Sequence, residues 1–183
     1  MRELTVYGVS FDLVGKQPIV LLKTQDGNTF LPIWIGHPEA AAILMKLQGS
    51  EPQRPMTHDL AASIIGSLDA EIRRVTVTEL RENTFYASIT LVQNGSEIEI
   101  DSRTSDAIAL ALRTDAKIFA VDEVIEESGV EFEGDEEEAS RQLIGQPSLA
   151  DLDPAEFRRF LDSVTPEDFA TEAEEEGEED DEP

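Results

Sequence analysis

The sequence predicts an α+β fold, a mixed and largely antiparallel sheet packed with helices and assembled from two β-β-β-α units. Three observations carry this expectation. Apolar and polar residues alternate over 85–92 and 75–78, which gives each strand one buried and one wetter face. The segments 19–22 and 31–35 are apolar on both faces, as expected of strands covered on both sides. The order strand, turn, strand, helix occurs twice, and the turn signals Asp26-Gly27 and Asn94-Gly95 lie 68 residues apart. Few identities link the halves, so two unrelated β-β-α units are the alternative.

In the first unit, a strand over 4–11 leads to one over 19–22. Asp26-Gly27 then reads as a two-residue hairpin turn before a strand over 30–35. Pro38 and Glu39 suit a helix start, where a missing amide hydrogen is harmless and the helix dipole favours an acid, and Gly49 suits its end. The polar stretch 50–55, with two prolines, is a loop. Thr57 is placed to cap a helix carrying Leu60, Ile64 and Leu68 on one face. In the second unit, strands over 72–80 and 85–92 precede the hairpin signal Asn94-Gly95. A strand over 98–101 follows, with Ile98 and Ile100 as its buried side, then a helix over 107–113 with Thr104 or Ser105 as its cap. Trp34, among apolar neighbours, is expected in the core.

Composition bounds the chemistry. The 183 residues contain 40 acids, 14 Lys and Arg, no cysteine and two histidines. A disulfide scaffold, a Cys-ligated zinc site, a thiol nucleophile and a multi-His metal site are excluded. No apolar run reaches the ~18–20 residues of a membrane span, and no secretory signal is visible, so the expected compartment is the cytoplasm and no membrane partner is expected. The net charge of −26 is uneven, with −16 of it after residue 133. The expected organisation is a domain over 1–133, an acidic linker over 134–148, a short helical extension over 149–170 and a disordered acidic tail over 171–183. In the extension, Phe157, Phe160, Leu161 and Val164 form an apolar stripe that docks on the domain or on a protein partner and makes a homo-oligomer an expectation.

Three polar groups sit at helix starts or strand ends, where sites are often built: His37 with Glu39, His58 with Asp59, and Asp101, Arg103, Ser105 and Asp106. The third combines two carboxylates for a cation, a guanidinium for an anionic oxygen and a hydroxyl, a composition suited to a metal and a phosphate. The structural alternative is equally concrete: Asp106 as a first-turn acid, Ser105 or Thr104 as a cap, and Asp101 on a solvated strand face. His37 reads as a loop or cap residue. Arg73, Arg74 and Arg81 form a modest basic spot, read as a solvated strand edge.

Three blocks occur in order: Leu31-Pro32-Ile33-Trp34-Ile35-Gly36 with Glu39-Ala40, Arg54-Pro55-Met56-Thr57-His58-Asp59-Leu60, and residues 101–111 beginning Asp101-Ser102-Arg103-Thr104-Ser105-Asp106. Together they resemble the hallmark segments of the bifunctional nuclease family over about residues 1–130. Thr104 departs from the proline frequent there, and the C-terminal part is similar to the helical extension of actinobacterial members. The resemblance implies an α+β domain that hydrolyses phosphodiesters of DNA and RNA. The expected site follows from the hallmark positions. Asp101 and Asp106, with Glu39 or Asp59, hold Mg²⁺ or Mn²⁺, His58 is the base on water, and Arg54, Arg103 and Ser105 bind the substrate. Against this stands the charge, since nucleic-acid binders usually carry a basic footprint. The rival expectation is a non-catalytic module that binds an anion or a partner and regulates. The acidic tail is also able to mimic nucleic acid and occupy the site of its own domain.

Overall fold

Two three-strand meanders, each followed by a helix, are stitched together by a short strand from late in the chain. The computed structural model describes residues 1–12, 17–50 and 52–131. Strands β1 (Arg2–Asp12), β2 (Gln17–Thr24) and β3 (Thr29–Trp34) lead into helix α1 (His37–Leu47). Helix α2 (Thr57–Ser67) connects to β4 (Ala70–Arg81), β5 (Thr84–Gln93) and β6 (Ser96–Arg103), which lead into α3 (Thr104–Thr114). Strand β7 (Lys117–Ala120), helix α4 (Asp122–Ser128) and strand β8 (Val130–Glu131) complete the described chain.

One eight-stranded sheet results, in the order β6-β5-β4-β7-β1-β2-β3-β8. The pairing is antiparallel throughout except between β4 and β7, which run parallel. The fold is therefore α+β with a mixed, mostly antiparallel sheet. Ile118 of β7 lies between Val75 of β4 and Leu4 of β1, so an apolar residue fills the junction of the two meanders. The strand-strand-strand-helix order read in the sequence is present twice, and α1 and α3 begin 67 positions apart and pack on each other.

Burial explains these elements. Val9, Val20, Leu22, Leu31, Val75 and Val77 are buried in the sheet, beneath Ile43 and Leu44 of α1 and Ile108 of α3. Ala40, Ala42, Ala107, Ala109 and Ala111 are buried too, and side chains this small let the helices approach one another and the sheet closely. Asn94 and Gly95 both have positive φ, 51° and 78°, and join Gln93 to Ser96 in a two-residue turn, as their pairing predicts.

Several expectations are corrected. Asp26-Gly27 is not a two-residue turn; four residues, 25–28, separate β2 from β3, and neither Asp26 nor Gly27 has the positive φ that such a turn requires. A two-residue turn occurs instead at Glu82-Asn83, with φ of 50° and 56°. Thr57 is the first residue of α2 and not its cap; Met56 holds the cap position, and its amide donates to the Asp59 carboxylate at 2.9 Å. Thr104 opens α3 and its hydroxyl donates to the Phe85 carbonyl at 2.9 Å, so it ties the helix to β5 and caps nothing. Trp34 is 50% exposed because β8 covers only Thr29 and Phe30 of β3 and leaves the far end of that strand at the sheet edge. Leu60, Ile64, Leu68, Ile98 and Ile100 are exposed, since α2 is an outer helix and β6 an edge strand. The linker, the helical extension and the acidic tail lie outside the described residues.

Candidate functional site

Three helix starts converge. Each of α1, α2 and α3 has an acid in its first turn, Glu39, Asp59 and Asp106, where the exposed amides and the dipole favour negative charge. Packing of α1 and α2 against α3 turns three separate first-turn acids into one polar cluster. His58 Nε2 lies 2.9 Å from Asp106 Oδ1. Arg103, at the end of β6, donates from Nε to Asp106 Oδ2 at 2.7 Å and from Nη2 to Glu39 Oε1 at 2.8 Å. The result is a continuous chain, His58–Asp106–Arg103–Glu39, whose imidazole and last carboxylate are largely covered, 12% and 14% exposed, while the guanidinium between the two acids is 68% exposed.

Burial by itself pushes the Asp106 carboxyl up, but hydrogen bonds from Arg103 and His58, and then their charge, outweigh it and hold the group below the ordinary 3.8. Asp59 behaves in the same way. Burial opposes ionisation, while bonds from the Met56 amide and Arg113 bring the net value below 3.8. An ionised Asp106 accepts a proton-bearing nitrogen, so Nε2 carries the hydrogen in neutral His58 and Nδ1 is left as the basic nitrogen; this tautomer is inferred from the bonding. Because both folded values are depressed, the stabilisation is complete above the unfolded value near 3.8 and is lost as the pH falls through the lower folded values. Urea midpoints measured against pH should therefore hold steady from neutrality to about pH 5 and fall below about pH 4. Asp106→Asn should flatten part of that fall.

Arg113 is the residue that sequence reasoning missed. Its side chain is 6% exposed and bonds to Asp59 of α2, to the Ala109 carbonyl at 3.0 Å and to the Ala42 carbonyl of α1 at 3.1 Å. One guanidinium thus joins all three helices and fixes the turn that carries His58. The available signal was weak: a cation in the last turn of a helix is ordinarily a dipole complement.

The other expected residues fall outside this chain. Asp101 is exposed on β6, opposite Ser88, and takes no part in it. Arg54 is exposed in the loop before α2, and Ser105 is buried in the first turn of α3. His37 is buried at the start of α1 against Phe11. Among the described residues, no three His, Asp or Glu side chains are grouped to hold a metal ion. Both oxygens of Asp106 and one of Glu39 are bonded to His58 or Arg103, so the arrangement in this structure is a salt-bridged network.

Gly36 has a local role in this cluster. A Cβ there would stand 2.2 Å from Glu39 Oε2, while the backbone φ of −71° suits any residue. The obstructed atom ends a flexible side chain, so Gly36→Ala should displace Glu39 and loosen Arg103 at little cost to the fold. We expect a melting temperature within about 3 °C of wild type, and a larger fall would show that Glu39 does not swing aside freely.

Comparison with known proteins decides the family. The Bifunctional nuclease domain family matches residues 20–133 of the chain. The chain belongs to the bifunctional nuclease domain family. The chain is also similar to an uncharacterized protein of Mycobacterium tuberculosis (strain ATCC 25618 / H37Rv), with 36% identity over 169 residues, 92% of this chain and 98% of the relative. Similarity to the plant proteins is more distant. Bifunctional nuclease 1 of Arabidopsis thaliana is 29% identical over 100 residues, 52% of this chain and 31% of that protein. Bifunctional nuclease 1 of Oryza sativa subsp. japonica is 28% identical over 98 residues, 51% of this chain and 30% of that protein. The matched bifunctional nuclease domain contains every member of the polar chain, Glu39, His58, Arg103 and Asp106. Among the described residues, no helix is long and apolar enough to cross a membrane.

Proposed function

We propose that the domain hydrolyses phosphodiester bonds of DNA and RNA at the cluster His58–Asp106–Arg103–Glu39. The observation that carries this reading is the His58–Asp106 pair at 2.9 Å, with an arginine bonded to the same carboxylate. Asp106 orients the imidazole through the bond at Nε2. Nδ1 of His58 takes the proton of the attacking water, and general base action of this kind contributes about 10²–10⁴-fold. Arg103 uses Nε and Nη2 within the network, which leaves Nη1 to hold a non-bridging phosphate oxygen as charge builds on it. Arg54, in its exposed loop, is assigned to a neighbouring phosphate. Asp59 acts at one remove, through Arg113 and the Met56 amide, by fixing the first turn of α2. No step is routed through a metal ion, and no role follows for Asp101 or Ser105.

Charge bears on affinity. At −26 the chain repels polyanions, and one or two guanidiniums give a shallow salt dependence, with a log–log slope of about −0.7 to −1.8 for one or two phosphate contacts. The function is tested with end-labelled single-stranded RNA and DNA, purified wild type and His58→Ala, each with added magnesium and with chelator. Cleavage by wild type and its loss in His58→Ala support the reading. Equal cleavage by both proteins assigns the activity elsewhere. Strict dependence on the added ion replaces this scheme with one in which Arg103 gives way to a cation. Binding without cleavage favours the anion-binding regulatory module.

A further inference from the structure

The register of the sheet sets Tyr86 of β5 directly opposite Arg103 at the end of β6. Residues paired in this way lie about 4.5–5.5 Å apart at Cα and send their side chains to one face. The next position fixes the juxtaposition as well, since the Thr104 hydroxyl donates to the Phe85 carbonyl at 2.9 Å. Glu79 of β4 is the direct partner of Tyr86 on its other side, and Arg81 is the diagonal neighbour. The Arg81 guanidinium lies over the Tyr86 ring, 4.3 Å from its centroid. An exposed cation is thus held on the ring of the residue that stands opposite Arg103, and none of the roles derived above uses it.

Arg73, Arg74 and Arg81 make one basic spot in the sequence, but the structure separates them. Arg73 is bonded to Glu97 at 2.8 Å, and Arg74 lies 3.6 Å from Glu99, so β6 neutralises both. Among the described residues no carboxylate forms an ion pair with Arg81; Glu79 acts on it only at longer range. Stacking on tyrosine fixes a guanidinium by its face and leaves the donors at its rim to bind an oxyanion. Charge also gives a direction. Back along β6 from Arg103, Asp101, Glu99 and Glu97 follow on the same face and turn a polyanion away. The way past Tyr86 offers a guanidinium instead.

We propose that Arg81, positioned by Tyr86, binds a phosphate flanking the one held by Arg103, so that a single strand of nucleic acid leaves the site over Tyr86 toward the β4–β5 turn. The inference rests on the proposed role of Arg103 and adds the path of the substrate beyond it. Arg81 touches no reacting atom; it contributes affinity for a strand that extends past the cleaved bond. One phosphate contact on a single strand adds about 0.7 to the log–log salt slope, so its effect is large at low salt and fades toward about 1 M.

The test is the anisotropy of a labelled single-stranded DNA of about 12 nucleotides, titrated with the full 183-residue chain at salt from about 0.05 to about 1 M. Phosphorothioate linkages keep every charge of the strand and slow its hydrolysis. Arg81→Gln should weaken binding about eightfold at the lowest salt, reduce the slope by about 0.7 and match wild type at the highest. Tyr86→Ala should do the same, while Tyr86→Phe, which keeps the ring, should stay within about twofold of wild type. Arg73→Gln removes the same charge from an exposed position of the same strand and should leave the slope unchanged. Equal weakening by Arg73→Gln would reduce the effect to net charge and overturn the proposal. So would a wild-type slope in Arg81→Gln, wild-type binding by Tyr86→Ala, or no binding by the unaltered chain. Cleavage of an ordinary strand is read separately. A chain that binds as expected and cleaves nothing sinks hydrolysis while supporting the Arg81 contact.

Discussion

Asp106→Asn is expected to lower cleavage of single-stranded RNA or DNA by about 10²–10⁴-fold, the range associated with losing a positioned general base. The substitution is nearly isosteric and preserves one acceptor for Arg103. It removes the carboxylate that orients His58, and the amide nitrogen, facing Nε2 from 2.9 Å, favours the tautomer in which Nδ1 carries the hydrogen. A histidine in that state has no basic nitrogen available at Nδ1. The structural cost is smaller. A first-turn acid contributes about 0.3–1 kcal/mol through the helix dipole, and weakening of the bond from Arg103 adds about as much again. Single-turnover cleavage and calorimetric melting of the same preparation separate the two effects. A folded variant with wild-type cleavage would remove the His58–Asp106 pair from the mechanism.

Arg113→Met should produce the largest loss of stability of any single change at the site, about 3 kcal/mol. Breaking a buried ion pair from one side typically costs about 3–5 kcal/mol, and the lower end applies because Asp59 is 30% exposed and part of its charge remains hydrated. Methionine fills much of the volume but leaves Asp59 and the Ala42 carbonyl without their donor. For a domain of this size the melting temperature should fall by about 10 °C. Asp59→Asn should cost less, and the double variant should cost less than the sum, because the two side chains act on each other. A loss under about 1 kcal/mol in Arg113→Met would mean that the three helices are held by apolar packing alone.

The contrast between Asn94-Gly95 and Asp26-Gly27 shows what was legible in the sequence and what was not. Both pairs are turn signals, but the conformation depends on how many residues the flanking strands leave for the loop, and that register is set by pairing across the sheet. Apolar patterning, alternating in some strands and continuous in 19–22 and 31–35, located six strands. It failed at Ile98, Ile100 and the α2 stripe, since the pattern says that a face is apolar and not what covers it. It also missed β7, α4 and β8, which are short and depend on partners far away in the chain. At the site, Glu39, His58, Arg103 and Asp106 were legible as residue types at helix starts. Arg103 as the bridge between two acids and Arg113 as the tie between three helices were not, because each joins groups 54 to 71 positions apart, or bonds locally within a turn, with equal ease.

The position of β7 has a consequence for how the domain comes into being. Four residues, Lys117–Ala120, occupy the middle of the sheet although they are made after six of the eight strands. Until they arrive, β1 and β4 are both bare edges, and the two meanders have no backbone bond to each other. A nascent chain ending before Lys117 would thus hold two half-sheets with open, apolar margins, the kind of surface that recruits chaperones or aggregates. Completion of the sheet waits on contacts spanning more than a hundred residues, from Leu4 to Ile118, so folding should be slow and late in synthesis. The shortest of the inner strands is then the keystone, set last, and the arch of both meanders stands on it.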